Sequence, residues 1–242
     1  MKNLEKQRAY IGTRYRYRGW GSEREKKLFK KNFNFKRPYN LEEILDHYSF
    51  YWEKSKDFHK MNEALWAASK IIKLCSNRRT HLHALRVFSR WIYLVDNWAH
   101  SDSLSSLLAE LLDKALQAKD KVLITKHLRL RRMWNQSPHF WLRRQSIVSL
   151  LNYSRLRKET LSFDEIIRFV DPLCMDPAFY VQKAIGWTLR ETYNLYPQKT
   201  YAYLIRNLSK ISSQAFSSST EKLKKHDKQK LLILRKSKRR AI

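Results

Sequence analysis

Trp98 and Asp102 stand four residues apart in the segment 96–104, DNWAHSDSL. Four residues is just over one helical turn, so on a helix the indole face and the carboxylate project side by side. Together they suit a group that turns electron-poor. The carboxylate stabilises developing positive charge and orients a water, while the ring supports cationic character. Asp is a poor former of helix interiors, and this one sits in a chain with a formal net charge of +28. A carboxylate kept on a phosphate-binding surface would repel its ligand unless it acted on it. Two plainer uses stay open: an ion pair with a neighbouring Arg, or a cap for the helix opened by Asp96 and Asn97.

Cations accompany two other tryptophans. Arg143 and Arg144 follow Trp141, and Arg190 follows Trp187 at the offset that Arg144 has from Trp141. Guanidinium groups suit bidentate phosphate contact; a solvated helix face is the alternative for each. Gly186 directly precedes Trp187. Gly within a helix costs about 1 kcal/mol relative to Ala, so it marks close approach of a ligand or close packing of two helices. His81 and His83 diverge on a helix and make a poor metal pair. There is no GxSxG or HExxH motif, and no metal or cofactor is expected.

The chain has 242 residues, 50 Lys and Arg against 22 Asp and Glu, 43% hydrophobic residues and 13% aromatic ones. That is too apolar for a disordered polycation, so a folded core lies beneath a basic surface. The partner is a polyanion, with nucleic acid first and an anionic membrane surface second. Only four Gly occur, and Ser22 onward holds a single one, which excludes Rossmann, P-loop and most all-β folds. Cys75 and Cys174 form neither a CxxC nor an even framework, which suits a reducing compartment. No apolar run approaches the ~18 residues of a membrane span, and the first residues lack a signal-peptide core. A soluble, unsecreted protein is expected, cytoplasmic and nucleoid-associated, or nuclear in a eukaryote.

Helical periodicity dominates. It predicts helices over 41–55, 61–74, 82–95, 104–116, 122–134, 140–153, 163–173, 179–193 and 201–208. Asn40 before LEE, Ser162 before FDE, and Asp176 with Pro177 read as helix starts. Arg and Tyr alternate over 10–17, too little for a sheet. Trp98, Trp141 and Trp187 lie 43 and 46 residues apart, within the ~40–47 residue period of HEAT and armadillo repeats. The expected fold is all-α, a HEAT-like or armadillo-type solenoid, curved around a basic concave groove with the three tryptophans in register on its inner surface. Residues 1–211 form the repeat domain. Residues 212–242 add a last helix and a mobile basic tail, either a phosphate-tracking arm or localisation signal, or a solvated end.

The strings DNWAHSDSL (96–104), HFWLRRQSIV (139–148) and YVQKAIGWTLRE (180–191) resemble the AlkD-type DNA alkylation repair glycosylases in order and spacing. Weaker likeness covers 15–31 and ALWAASKII (64–72), so the resemblance runs to about residue 211. It implies HEAT-like repeats around a groove for duplex DNA, and hydrolysis of the N-glycosidic bond of cationic N3- or N7-alkylated purines. It also implies Asp102 as the catalytic carboxylate, Trp98 and Trp187 as groove tryptophans, and Arg144 as the active-site Arg. Arg143, Lys183, Arg190 and Tyr10 complete the expected DNA contacts. The family's Gln at the N-terminal turn falls near Gly21. A monomer acting on alkylated duplex DNA, without metal or membrane, is expected. The rival readings are a non-catalytic DNA-binding repeat protein and a scaffold for RNA or protein.

Overall fold

The computed structural model describes residues 2–33 and 40–240. Thirteen α-helices run through the described residues: α1 (Lys2–Ile11), α2 (Ser22–Asn32), α3 (Leu41–Lys54), α4 (Phe58–Leu74), α5 (Arg78–Trp91), α6 (Trp98–Gln117), α7 (Lys121–Asn135), α8 (Phe140–Leu151), α9 (Phe163–Val170), α10 (Phe179–Leu195), α11 (Pro197–Arg206), α12 (Ser213–Ser219) and α13 (Lys225–Arg240). Short 3₁₀ turns follow α5, α8 and α9. No described helix is long and apolar enough to cross a membrane.

Polar side chains start the helices where the sequence signals them. Asn40 accepts from the Glu42 amide at 2.9 Å, and Ser162 and Glu165 close a capping box on α9, satisfying amides that have no partner within the helix. Asp57, Asn77 and Asp120 cap α4, α5 and α7 in the same way. The Asp176–Pro177 start differs. The N-cap of α10 is Ala178, and the Asp176 carboxylate accepts the Ala178 amide from outside the helix at 2.8 Å. The Arg/Tyr alternation also resolves otherwise: Tyr10 lies in α1, and the extended stretch beyond it makes one isolated bridge, Arg16 to Asp57.

The chain divides into two compact units, Met1–Leu111 and Leu112–Ile242. In the first, α3 packs against α4 and α5. Trp52 and Trp91 stack at 4.8 Å with their planes 11° apart. Neither indole N–H is stranded: Trp52 donates to the Trp91 carbonyl at 3.0 Å and Trp91 to Ser49 Oγ at 2.8 Å, as buried rings of this kind require. In the second unit α8, α10 and α12 pack around Ile147, Leu151, Ile166, Ala184, Ile185 and Leu189. Gly186 lies where α10 meets α12. A Cβ there would come within 2.5 Å of the Ala215 carbonyl oxygen and 2.9 Å of the Ala215 Cα, so this glycine serves close helix packing. The segment after residue 211 is not a loose tail. Ala215, Phe216, Leu223 and Leu231 join the same core, and buried Arg235 donates to the Ile211 carbonyl at 2.7 Å.

Candidate functional site in two settings

The first setting is the N-terminal turn of α6. Trp98 opens the helix, and its half-buried indole N–H donates to the Tyr10 carbonyl at 3.0 Å. The Tyr10 ring meets it edge-on at 5.6 Å while remaining 76% exposed. Asp96 fixes the approach of the chain. Its carboxylate accepts from Thr13 Oγ1 at 3.1 Å, the Arg14 amide at 2.8 Å and Asn97 Nδ2 at 2.7 Å. The helix is capped by Asn97, whose Oδ1 accepts the His100 amide at 2.9 Å. Capping is therefore not the work of Asp102. Asp102 lies one turn beyond Trp98 on the same helix, half-buried.

Beneath this turn lie two histidines. His100 is wholly buried, stacked on Phe58 at 4.3 Å, with Nε2 3.2 Å from the Phe58 carbonyl and Nδ1 3.0 Å from Asn97 Nδ2. The carbonyl can only accept and the amide nitrogen can only donate, so the ring is neutral. Burial pushes its pKa down to about 3. His59 Nε2 accepts the Arg18 amide at 2.8 Å, which leaves Nδ1–H to donate to buried Glu25. Burial first, then the nearby Arg18 charge, lowers its pKa to about 4. Arg18 pairs with Asp57 at 2.6 Å, and its guanidinium covers Trp20 at 4.7 Å. These contacts hold the extended segment against α4 with Tyr15 and Tyr17 half-buried and Arg14 and Arg16 exposed. Sequence reasoning missed this buried cluster, because Glu25 and His59 carry no local motif.

The second setting lies on α8 and α10. Arg144 is buried, at 7% exposure. Its neighbour Arg143 is engaged within the fold. The guanidinium binds Asp176 through Nε at 2.5 Å and Nη2 at 3.2 Å, and donates to the Ser137 and Pro138 carbonyls. Trp187 lies midway along α10, half-buried, with the Arg190 guanidinium 5.6 Å from its centroid and the Tyr153 ring edge-on at 6.2 Å. Arg190 is itself held by Glu221 at 2.7 Å, a bond that keeps the Glu221 carboxyl below its usual range. Lys183 is exposed, its ammonium 5.1 Å over the Phe179 ring.

The expected register of three tryptophans does not hold. Trp98 and Trp141 stand at the beginnings of α6 and α8, whereas Trp187 stands in the middle of α10. Trp141 is 4% exposed and stacks on Tyr180 at 4.8 Å; it is a core residue. Near-equal spacing in sequence misleads here because the helices begin at different distances from their tryptophans. Among the described residues no group of three His, Cys, Asp or Glu could hold a metal. Cys75 and Cys174 are buried thiols that form no disulfide with each other.

A family model described as DNA alkylation repair enzyme matches residues 1–223. Among solved structures, the chain is similar to a protein described as a predicted DNA alkylation repair enzyme from Enterococcus faecalis, with 19% identity, coverage of 93% of this chain and 96% of that one, and a TM-score of 0.67. It is also similar to AlkD2 from Streptococcus mutans, with 17% identity, 90% and 98% coverage, and a TM-score of 0.57. No curated protein matches. At these identities the likeness is one of fold, and the fold is all-α and of the helical-repeat kind.

Proposed function

Since the chain belongs to the family of DNA alkylation repair enzymes, we propose that it is a monofunctional DNA glycosylase for cationic N3- and N7-alkylated purines in duplex DNA. Alkylation gives the purine a positive charge. When the bond from C1′ to nitrogen breaks, its electron pair neutralises the base, so no strong general acid is required. Positive charge then appears on the deoxyribose as an oxocarbenium ion. The Asp102 carboxylate stabilises that ion and takes a proton from the water that adds to C1′, leaving an abasic sugar. On α6, Trp98 offers its ring face to the sugar; on α10 and α8, Trp187 offers an aromatic face to deoxyribose and Arg144 secures a phosphate. Exposed Lys183 and Tyr10 reach backbone phosphates directly. Arg143 and Arg190, tied to Asp176 and to Glu221, act chiefly by setting the start of α8 and the face of Trp187.

The observation that carries this reading is the Trp98 setting: an indole locked by the Tyr10 carbonyl with a carboxylate one turn along the same helix, in a chain of charge +28. The test is to incubate the protein with methylated duplex DNA and identify freed purines by mass. Asp102→Asn is expected to slow release by about 10²–10³-fold with duplex affinity unchanged or improved. A protein that shifts the duplex in a gel but frees no base at any dose is a non-catalytic DNA binder, and unchanged release by the Asn variant removes Asp102 from its role.

A further inference from the structure

α8 ends in a turn that does not suit its residues. Asn152 has φ −46° and ψ 117°, and Tyr153 has φ 52° and ψ 64°. Tyr153 is thus in the left-handed α region, which favours Gly or Asn. The chain has an Asn, one residue too early, and puts a bulky aromatic in the left-handed position. Such backbone is strained and persists only where its surroundings dictate it.

The surroundings do so here. Glu191 on α10 is buried, and its carboxylate accepts from the Ser154 amide at 2.9 Å and from Ser154 Oγ at 2.7 Å. Asn194 Nδ2 reaches the same oxygen at 3.4 Å. The Tyr153 carbonyl in turn accepts the Leu156 amide at 2.8 Å. The backbone is thus clamped on the far side of Tyr153, and the ring is delivered to the edge of Trp187 at an interplanar angle of 88°. Yet the residue stays 55% exposed. A strained residue with an exposed aromatic ring lowers stability, and a buried carboxylate has been committed to keeping it there. Strain of this kind concentrates where a ligand is met.

We propose that Tyr153 is a ligand-contacting residue that widens the aromatic surface of Trp187 and receives the sugar–phosphate backbone of duplex DNA. The ring offers its face to deoxyribose C–H groups, and the hydroxyl donates to a phosphate oxygen. The identity of the ligand rests on the glycosylase reading above.

Tyr153→Gly and Tyr153→Phe test it against the wild type. Three quantities are needed: single-turnover release of 7-methylguanine from methylated duplex, affinity for unmodified duplex, and melting temperature. Glycine relieves the turn, so Tyr153→Gly melts at or above the wild-type temperature, while release slows and affinity weakens by about three- to tenfold. Tyr153→Phe restores both if the ring makes the contact; loss in both variants assigns the contact to the hydroxyl and supports the proposal equally. The proposal is overturned if Tyr153→Gly releases base and binds duplex like the wild type, or if it melts lower, which would make Tyr153 a structural residue. A wild-type protein that frees no base defeats the glycosylase reading alone, and the duplex affinities then decide the role of Tyr153.

Discussion

At the head of α6, Trp98 is held by hydrogen bonds. Its own N–H is committed to Tyr10, and Asp96 gathers Thr13, Arg14 and Asn97 around the turn that presents it. Midway along α10, Trp187 is held by shape: a guanidinium over its ring, a tyrosine at its edge, and beside it a glycine that lets α12 approach. One residue type is fixed by two devices, and the devices fail differently. Hydrogen bonds to a carboxylate and buried neutral histidines respond to truncation and to acid. A close helix crossing responds to a single methyl group.

The largest effect should fall on the second device. Gly186→Ala forces a methyl group against the backbone of α12, which cannot move as a flexible side chain would, and should cost about 3 kcal/mol in denaturant unfolding. A loss within a few tenths of a kcal/mol would show that the crossing is loose. On the first device, Asp96→Ala leaves partly buried donors unmatched and should cost about 2 kcal/mol; on the glycosylase reading, base release slows as well because Trp98 loses its tether. Full activity in that variant would separate Trp98 from its support.

Acid sharpens the contrast. The folded pKa of His100, about 3, lies below the ordinary 6.5, so as pH falls through 6.5 the unfolded chain binds a proton that the folded one refuses. Stability is intact above pH 6.5 and should fall by about 1.4 kcal/mol by pH 5.5 from this group alone, with His59 adding in the same direction. His100→Gln should flatten the slope of unfolding free energy against pH over that interval; an unaltered slope would place the acid response elsewhere. The smallest effect belongs to Glu221→Gln. The Arg190–Glu221 pair is half exposed on its acidic side, so its loss should cost only about 0.5 kcal/mol, shrinking further in high salt. A larger loss would mean that Arg190 supports Trp187 more firmly than its exposure implies.

Helices α3 to α11 were legible because apolar periodicity and caps such as Asn40 and Ser162 are local. Trp98 with Asp102 was legible for the same reason, since both sides of the pair lie on one turn. α1, α2 and α12 were not: most side chains of α1 and α2 are exposed, so no apolar stripe announces them, and α12 is short and rich in serine. Arg143 was read as a phosphate ligand because its partner Asp176 lies 33 positions away and no spacing rule reveals it. The last helix was legible, but its basic end reads as a mobile tail because only a few contacts, Leu231 and Arg235 among them, dock an otherwise cationic helix that runs to Arg240. Tyr153 was invisible because left-handed backbone at a non-glycine residue is imposed by neighbours in space, here Glu191.

The tie between Trp98 and Tyr10 bridges 88 positions, and that between Thr13 and Asp96 bridges 83. During synthesis the opening segment therefore emerges long before the turn that secures it exists. Closing so wide a loop carries an entropic toll that earlier contacts with α4 reduce by shortening the free span. Trp98 should thus be among the last side chains of its half to reach its final pose, after the helix that carries it has formed.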